Sequence, residues 1–277
     1  MNPELRPADL EPYLATPSVP ALLLPVLFAG NAALTILDVG ACEGEDSIRY
    51  ARLFPAARIF AFEPLPANQA LIRENFRRHG VDRAELVGRA LSDRRGEAIL
   101  HVSSGQPPER FSGENWNYGN KSNSLLPPLA AQPMHGWIEF KQQVAVPTGT
   151  LDEFCAERGL TRIDFIHLDV QGAECLVLDG ACRMLPRTLA IWLEVTDRAL
   201  YRGQPLRPAI ERRLRDHGFR LVRQVLGDVE GDQFYVNPRY PRTWPLLASQ
   251  RLRDALGALR FRAGAIKSRL LHPRKKP

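Results

Sequence analysis

The sequence predicts an α/β fold: a seven-stranded sheet, mostly parallel with one antiparallel strand, and helices on both faces. Three observations carry that prediction. Continuous apolar runs with β-branched residues alternate with segments of helical period, which is how a buried parallel sheet with crossover helices reads. The first run stops at an acid and a glycine-bearing turn, "ILDVGACEGEDS" at 36–47. The last two runs, "FRLVRQVL" (219–226) and "DQFYVN" (232–237), are joined by a loop too short for a crossover, so they form a hairpin.

The elements follow in order. Residues 1–33, rich in proline and leucine, form a short helical lead-in. Within it "VPALLLPVLFAG" (19–30) is too short to span a bilayer and is broken by Pro25. "LTILDVG" (34–40) is a buried strand, and "EDSIRYARLF" (45–54) a helix with Ile48, Ala51 and Leu53 on one face, ending before Pro55. "RIFAFEP" (58–64) is a strand ending in an acid, and "PANQALIRENFRRHG" (66–80) a helix with Pro66 near its start and Gly80 at its end. "AELVGRAL" (84–91) is the third strand. After an interruption the rhythm resumes with a helix at 150–159, a strand at 163–170, a helix at 173–185, a strand at 188–195 and a helix at 206–218. The interruption, 104–141, is rich in Gly, Pro, Ser, Asn and aromatic residues; a loop that long inside a compact domain is expected to be a substrate lid or lip.

Length and charge set further bounds. A chain of 277 residues fits one domain, 34–238, between the lead-in and a tail, 239–277. The tail holds eleven Lys/Arg against one acid, so the overall +6 comes from it and the remainder is mildly acidic. An acidic core argues against a broad nucleic-acid surface. In the tail Leu252, Leu256, Leu259, Ala263, Ile266 and Leu270 make one helical face with basic residues off it. Such a basic amphipathic helix, 248–271, suits a peripheral membrane surface, a partner protein or its own domain. The four cysteines (Cys42, Cys155, Cys175, Cys182) show no metal-ligand spacing and read as reduced thiols, and no basic n-region precedes an apolar core, so a cytoplasmic protein is expected.

In an open parallel sheet the ligand lies beyond the strand ends, where strand order reverses. Three ligands compete for the turn after Asp38. A P-loop needs a Lys-Ser/Thr that is missing here. A dinucleotide fingerprint needs GxGxxG, whereas the pattern from Asp38 is D-x-G-x-C-x-G, and Glu43 and Glu45 would repel a diphosphate. S-adenosylmethionine has no phosphate and carries an ammonium and a sulfonium. Its amino-acid end fits the turn of Gly40 and Gly44, with Ala41 and Ser47 as neighbours. Glu63, followed by Pro64, stands near the ~20-residue spacing of an acid that binds ribose hydroxyls.

The blocks "ILDVGACEGEDS", "AFEPLPANQALIRENF", "RALSDRRGEAIL", "VPTGTLDEFC" and "IDFIHLDVQGAECLVLDG" occur in the order seen in FkbM-type methyltransferases, which the chain resembles over 36–237. The resemblance implies the Rossmann-like seven-stranded methyltransferase sheet and S-adenosylmethionine-dependent O-methylation of a hydroxyl on a sugar, glycan or secondary metabolite. It implies cofactor contacts from Asp38, Gly40, Gly44 and Glu63, with Ala90 and Leu91 flanking the adenine. The family's last block often reads Lys-x-Asp-x-Glu-Gly. Here it reads His167, Asp169, Gln171 and Gly172, so a role that needs the lysine or the glutamate does not carry over.

Methyl transfer to a hydroxyl needs an aligned acceptor oxygen and a base. Period two puts His167 and Asp169 on one face of their strand, with Asp169 at its mouth, and Glu194 ends the neighbouring strand, faces the same mouth and is a third catalytic candidate. Asp169 is expected to orient the acceptor or the cofactor ammonium, and His167 to be the base or its partner. Asp169 and Glu194 are hard oxygen ligands, but nothing in the spacing demands a metal and none is assigned. In the interruption Trp116, Tyr118, Ser122, Asn123 and Ser124 are candidates for contact with the acceptor. The competing readings are an NAD-type oxidoreductase, and a degenerate methyltransferase fold that binds a partner.

Overall fold

The computed structural model describes residues 5–30, 32–107, 117–129, 136–250 and 252. Among these residues the main sheet has seven strands in the order β3-β2-β1-β7-β8-β10-β9. The strands β1 (Thr35–Val39), β2 (Arg58–Phe62), β3 (Ala84–Val87), β7 (Ile163–Leu168) and β8 (Thr188–Thr196) run parallel. β10 (Glu230–Val236) pairs antiparallel with both β8 and β9 (Arg220–Leu226), as the short loop between the last two runs requires. The helices α3 (Glu45–Leu53), α4 (Pro66–Arg78), α5 (Leu151–Glu157), α6 (Glu174–Asp179) and α7 (Arg207–Asp216) fill the crossovers. The lead-in carries α1 (Glu11–Ala15) and α2 (Val19–Leu27).

Strand alternation divides the core. Leu37, Val39, Phe60, Phe62, Ile166, Leu168, Ile191 and Leu193 pack on one face with Phe154 of α5 and Leu178 of α6. Ile36, Ile59, Phe165, Ala190, Trp192 and Phe234 pack on the other with Tyr50 of α3 and Leu24 of α2. Phe154 meets Phe60 and Phe62 edge-on at centroid distances of 5.0 and 4.7 Å, contacts worth about 0.5–1.5 kcal/mol each beyond area burial. Thr150 and Glu153 close a capping box at the start of α5, which fixes where that helix leaves the second sheet.

Three expectations need correction. The run 84–91 is not one strand: the chain turns at Gly88, and β4 (Ala90–Leu91) leaves the main sheet to pair with β6 (Glu139–Gly149). β6 also pairs antiparallel with β5 (Gly96–Ser104), so 96–149 is a hairpin that the sequence pattern did not reveal. Its outer face is polar or half-exposed, with Ile99 45% accessible, and this dilutes the apolar alternation. The helix predicted over 173–185 stops at Asp179, and a 3-10 turn, Leu185–Arg187, leads into β8. No described helix is long and apolar enough to cross a membrane. Residues 244–250 are helical, and the amphipathic pattern beyond Leu252 lies outside the described residues.

Candidate active site

Strand order reverses between β1 and β7, and a cleft of roughly 880 Å³, counted out to open solvent, lies at their C-terminal ends. The turn after β1 forms its floor. Gly40 has φ +91°, and a Cβ there would lie 1.8 Å from the carbonyl oxygen of Asp169. Only glycine lets the β1 turn and the β7 loop touch. Gly44, with φ +82°, is the N-cap residue of α3 and packs on Phe76. Cys42 between them also takes a positive φ, 48°.

Of the predicted donor-binding residues, Asp38, Gly40, Ala41, Glu63, Pro64, Ala90, Leu91 and Asp169 line the cleft. Gly44 and Ser47 do not. Ser47 is fully buried and donates its hydroxyl to Asp38 Oδ2 at 2.6 Å, so it holds the acid from behind. Glu63 accepts the backbone N–H groups of Cys42 (3.1 Å) and Leu65 (2.8 Å), which ties the end of β2 to the glycine turn. Burial pushes both Asp38 and Glu63 up to about 7.

The cleft has two chemical ends. Phe62, Ala90, Leu91, Leu100 and Leu125 make an apolar end. Asp38, Glu45, Asp46, His167 and Asp169 make an acidic one. Its arginine and lysine, Arg89 and Lys121, are paired with Glu157 at 2.7 Å and Glu45 at 2.5 Å. This donor set suits a cation with a ribose diol and an apolar base, and it offers little to a diphosphate.

The interruption forms the roof. Its 3-10 turn, Tyr118–Lys121, brings Asn120 and Lys121 into the cleft, with Asn123 just after it. Asn120 donates to Asn68 Oδ1 (2.8 Å), and Asn117 donates to Glu43 Oε1 (3.0 Å). Asn123 accepts from the Ser103 N–H (2.8 Å) and donates to the Asn120 carbonyl (2.9 Å). Ser124, predicted to meet the acceptor, is buried and donates instead to the Gln171 carbonyl (2.7 Å), fastening the roof to the β7 loop. Trp116 lies outside the described residues. No local pattern pointed to Lys121, whose place in the cleft depends on the fold of the interruption.

Register puts Asp38 opposite His167, and His167 opposite Trp192. His167 Nδ1 lies 2.9 Å from the Tyr50 hydroxyl and 3.8 Å from Asp46 Oδ2. Burial lowers its pKa, but Asp46, Asp38, Asp169 and Asp232 more than offset this and hold it above the usual histidine value. Tyr13 donates to the same Asp46 oxygen at 2.7 Å. Tyr50 and Asp46 were missed because they sit on α3, where the sequence reads them as core and as a helix-start acid.

Asp169 and Glu194 are joined by the residue that departs from the family block. Gln171, at φ +52°, donates Nε2 to Asp169 Oδ1 (2.8 Å) and to Glu194 Oε2 (3.1 Å). Its Oε1 lies 3.3 Å from the Tyr201 hydroxyl, which donates to the Ser122 carbonyl at 2.8 Å. Burial raises Asp169, and burial with repulsion from Asp169 and Glu174 raises Glu194 well above the usual carboxylate range. Oxygens of Asp169, Glu174 and Glu194 all lie within 4.8 Å of one another, a grouping able to take a cation. Each already accepts a protein donor, Glu174 from the N–H groups of Val170 and Gly172. Glu194 lies outside the donor cleft and lines a second cleft of roughly 700 Å³, which shares Lys121, Asp169 and Gln171 with the first.

A sequence model described as the methyltransferase FkbM domain matches residues 38–221. A 2-O-methyltransferase, NoeI, of Sinorhizobium fredii is 37% identical over 205 residues, 74% of this chain and 79% of the relative. The methyltransferase sdnD of Sordaria araneosa is 27% identical over 201 residues, 68% of this chain and 74% of that one. Among solved structures, a SAM-dependent methyltransferase from Aquifex aeolicus superposes with a TM-score of 0.41 at 14% identity, over 82% of this chain and 97% of that chain. The family match and both relatives stand against the NAD-type alternative.

Proposed function

The chain belongs to the FkbM methyltransferase family, and on that premise we propose that it methylates a hydroxyl of a sugar, glycan or secondary metabolite. The observation that carries this reading is the junction at Asp169, where an acidic, phosphate-averse donor cleft adjoins a second cleft that shares Lys121, Asp169 and Gln171 with it. The relative named as a 2-O-methyltransferase supports an oxygen acceptor. The methyl donor is S-adenosylmethionine. When bound, it supplies an electrophilic methyl carbon whose bond to sulfur breaks with the electron pair returning to sulfur.

The chain's own residues do the rest. Asp38 and Asp46, with Asp169, attract the donor's positive charges, and Glu63 accepts hydrogen bonds from the ribose. Ala90, Leu91 and Leu100 bury the base against apolar surface. Asp169 orients the acceptor hydroxyl. His167 takes its proton: the tautomer that donates Nδ1–H to Tyr50 is the one that leaves a lone pair on Nε2, and Asp46 stabilises the imidazolium that results. Gln171 keeps two carboxylates apart from each other by an amide that donates to both.

Calorimetry with S-adenosylhomocysteine and with NAD, followed by tritiated methyl transfer to a panel of glycosides and hydroxylated metabolites, tests the reading. Binding of S-adenosylhomocysteine and labelled methyl ethers are expected. NAD binding in its place, or donor binding with no acceptor methylated, counts against it.

A further inference from the structure

The second cleft lies beyond Asp169 on the side away from the glycine turn. Tyr118, Trp137 and Tyr201 give it three aromatic side chains, and Tyr201 is fixed by its hydroxyl bond to Ser122 and by edge contact with Phe140 at 6.1 Å. Asp169 and Glu194 point acceptor oxygens into it from β7 and β8, with Glu230 beside them on the β10 edge. Two more carboxylates stand close behind. Glu174 is grouped with Asp169 and Glu194, and Asp232 is the cross-strand partner of Glu194. The shared base, Lys121, is held by Glu45 in the donor cleft.

Such walls select by charge. Aromatic faces pack on the C–H faces of a pyranose ring, and carboxylates accept hydrogen bonds from its hydroxyl groups. An ammonium on the ring would gain a partner. A phosphate, diphosphate or carboxylate would add charge to a group of carboxyls whose burial and mutual repulsion already resist ionisation, so its entry costs more than that of a neutral or cationic ring. Another opening at Asp169, lined by Asp46, Asp232 and Trp192 together with His167, brings two further carboxyl groups to the same junction.

We propose that the second cleft is the acceptor site and that it takes a neutral or amino-bearing sugar ring while rejecting phosphorylated, nucleotide-activated and carboxylated sugars. This deepens the O-methyltransferase reading and rests on it. A sugar reaching this cleft has already lost its activating nucleotide, so a glycosyl transfer or hydrolysis precedes methylation.

The test uses the full chain with tritiated S-adenosylmethionine and matched forms of several pyranoses: methyl glycoside, 2-amino glycoside, 6-phosphate, uronic acid and nucleoside diphosphate sugar. S-adenosylhomocysteine binding is measured first, and its absence sinks the donor assignment rather than this one. With the donor site intact, kcat/KM for the neutral or amino form is expected to exceed that for every matched anionic form at least about a hundredfold. Anionic forms within threefold of the neutral ones, or methylated alone, overturn the proposal, as does failure of every neutral and amino acceptor. Trp137→Ala is expected to raise acceptor KM about tenfold with S-adenosylhomocysteine affinity unchanged. An unchanged acceptor KM removes the sugar from this cleft. Glu194→Gln is expected to narrow the discrimination against uronic acids about tenfold, and an unaltered ratio removes charge selection from Glu194.

Discussion

On one wall of the donor cleft, Gly40 holds its place through a positive φ angle and backbone contact, with Gly44 capping α3 just behind it. On the facing wall, Asn117, Asn120, Lys121 and Asn123 hold theirs through side-chain hydrogen bonds. The sheet wall is therefore nearly binary: the β1 turn and the β7 loop touch, or the cleft does not exist. The roof is graded, because each amide contributes separately and about 1 ± 0.5 kcal/mol is typical for one such bond. Donor binding can thus be loosened by degrees through the roof, whereas the sheet wall allows no intermediate.

Substitutions in the sheet wall break this contrast most severely. Gly40→Ala puts a Cβ on the Asp169 carbonyl at a φ that L-residues avoid, so β1 and the β7 loop must separate. A loss beyond about 4 kcal/mol and no measurable S-adenosylhomocysteine binding are expected by thermal melting and calorimetry. A Gly40→Ala protein with the parental melting temperature would show that the turn has slack. Next come the reacting groups. His167→Gln and Asp169→Asn should each lower kcat by about 10²–10⁴-fold without changing the circular dichroism spectrum. His167→Gln should also abolish the acidic limb of the pH–rate profile, because a base held above the usual histidine value is neutral only at higher pH. Turnover close to the parent in either variant removes that residue from the chemistry.

The same contrast explains what could be read in advance. The sheet was legible because backbone rules and period-two patterning act locally, and Asp38, Gly40, Glu63 and Asp169, named from the strand ends, all line the cleft. Gly44 and Ser47 were named from the same turn and stand behind the cleft lining, Gly44 packed on Phe76 and Ser47 bonded to Asp38, since sequence spacing does not say which residues of a helix start face the cleft. The hairpin β5–β6 escaped because half-buried strands with polar outer faces lose their alternation. Lys121, Trp137 and Tyr201 escaped for another reason. They meet the cleft through contacts across dozens of residues, such as Tyr201 to Ser122, and no local pattern encodes those. Gln171 was visible only as a departure from a family block; its bridge between Asp169 and Glu194 emerged from geometry.

The roof should answer to smaller changes. Asn123→Ala removes the acceptor for the Ser103 N–H and the donor to the Asn120 carbonyl, which loosens the 3-10 turn over the donor. A buried N–H left without its partner costs about 1–3 kcal/mol, here confined to the roof. The expected result is a donor KM raised roughly tenfold with a melting temperature close to the parent's. An unchanged donor KM would mean that the roof is organised without Asn123.

The smallest effect separates the walls by pH. Asp38, Glu63 and Asp232 have carboxyl groups raised to about 7 by burial. The folded chain therefore keeps protons between about pH 4 and 7 that the unfolded chain has released, and stability falls as pH rises through that window. His167 acts in the same direction. Its raised folded value contributes stability below the ordinary histidine pKa, and that contribution is lost as pH rises through the folded one. Glu74, half-buried and held at about 2 by Arg77 and Arg78, titrates below this range. On the roof, Lys121 is shifted upward from an already high value and stays charged throughout. A melting temperature lower by roughly 5 °C at pH 8 than at pH 5.5 is expected, each kcal/mol being worth about 2–4 °C in a chain of this size. Hydrogen exchange at the two pH values, corrected for intrinsic rates, should show the loss of protection in β1 and β7 and not in β5 and β6. S-adenosylmethionine should flatten the dependence, because its positive charges favour the ionised carboxylates. A pH effect spread evenly over both walls, or one that the donor leaves untouched, would detach the buried acids from the donor site.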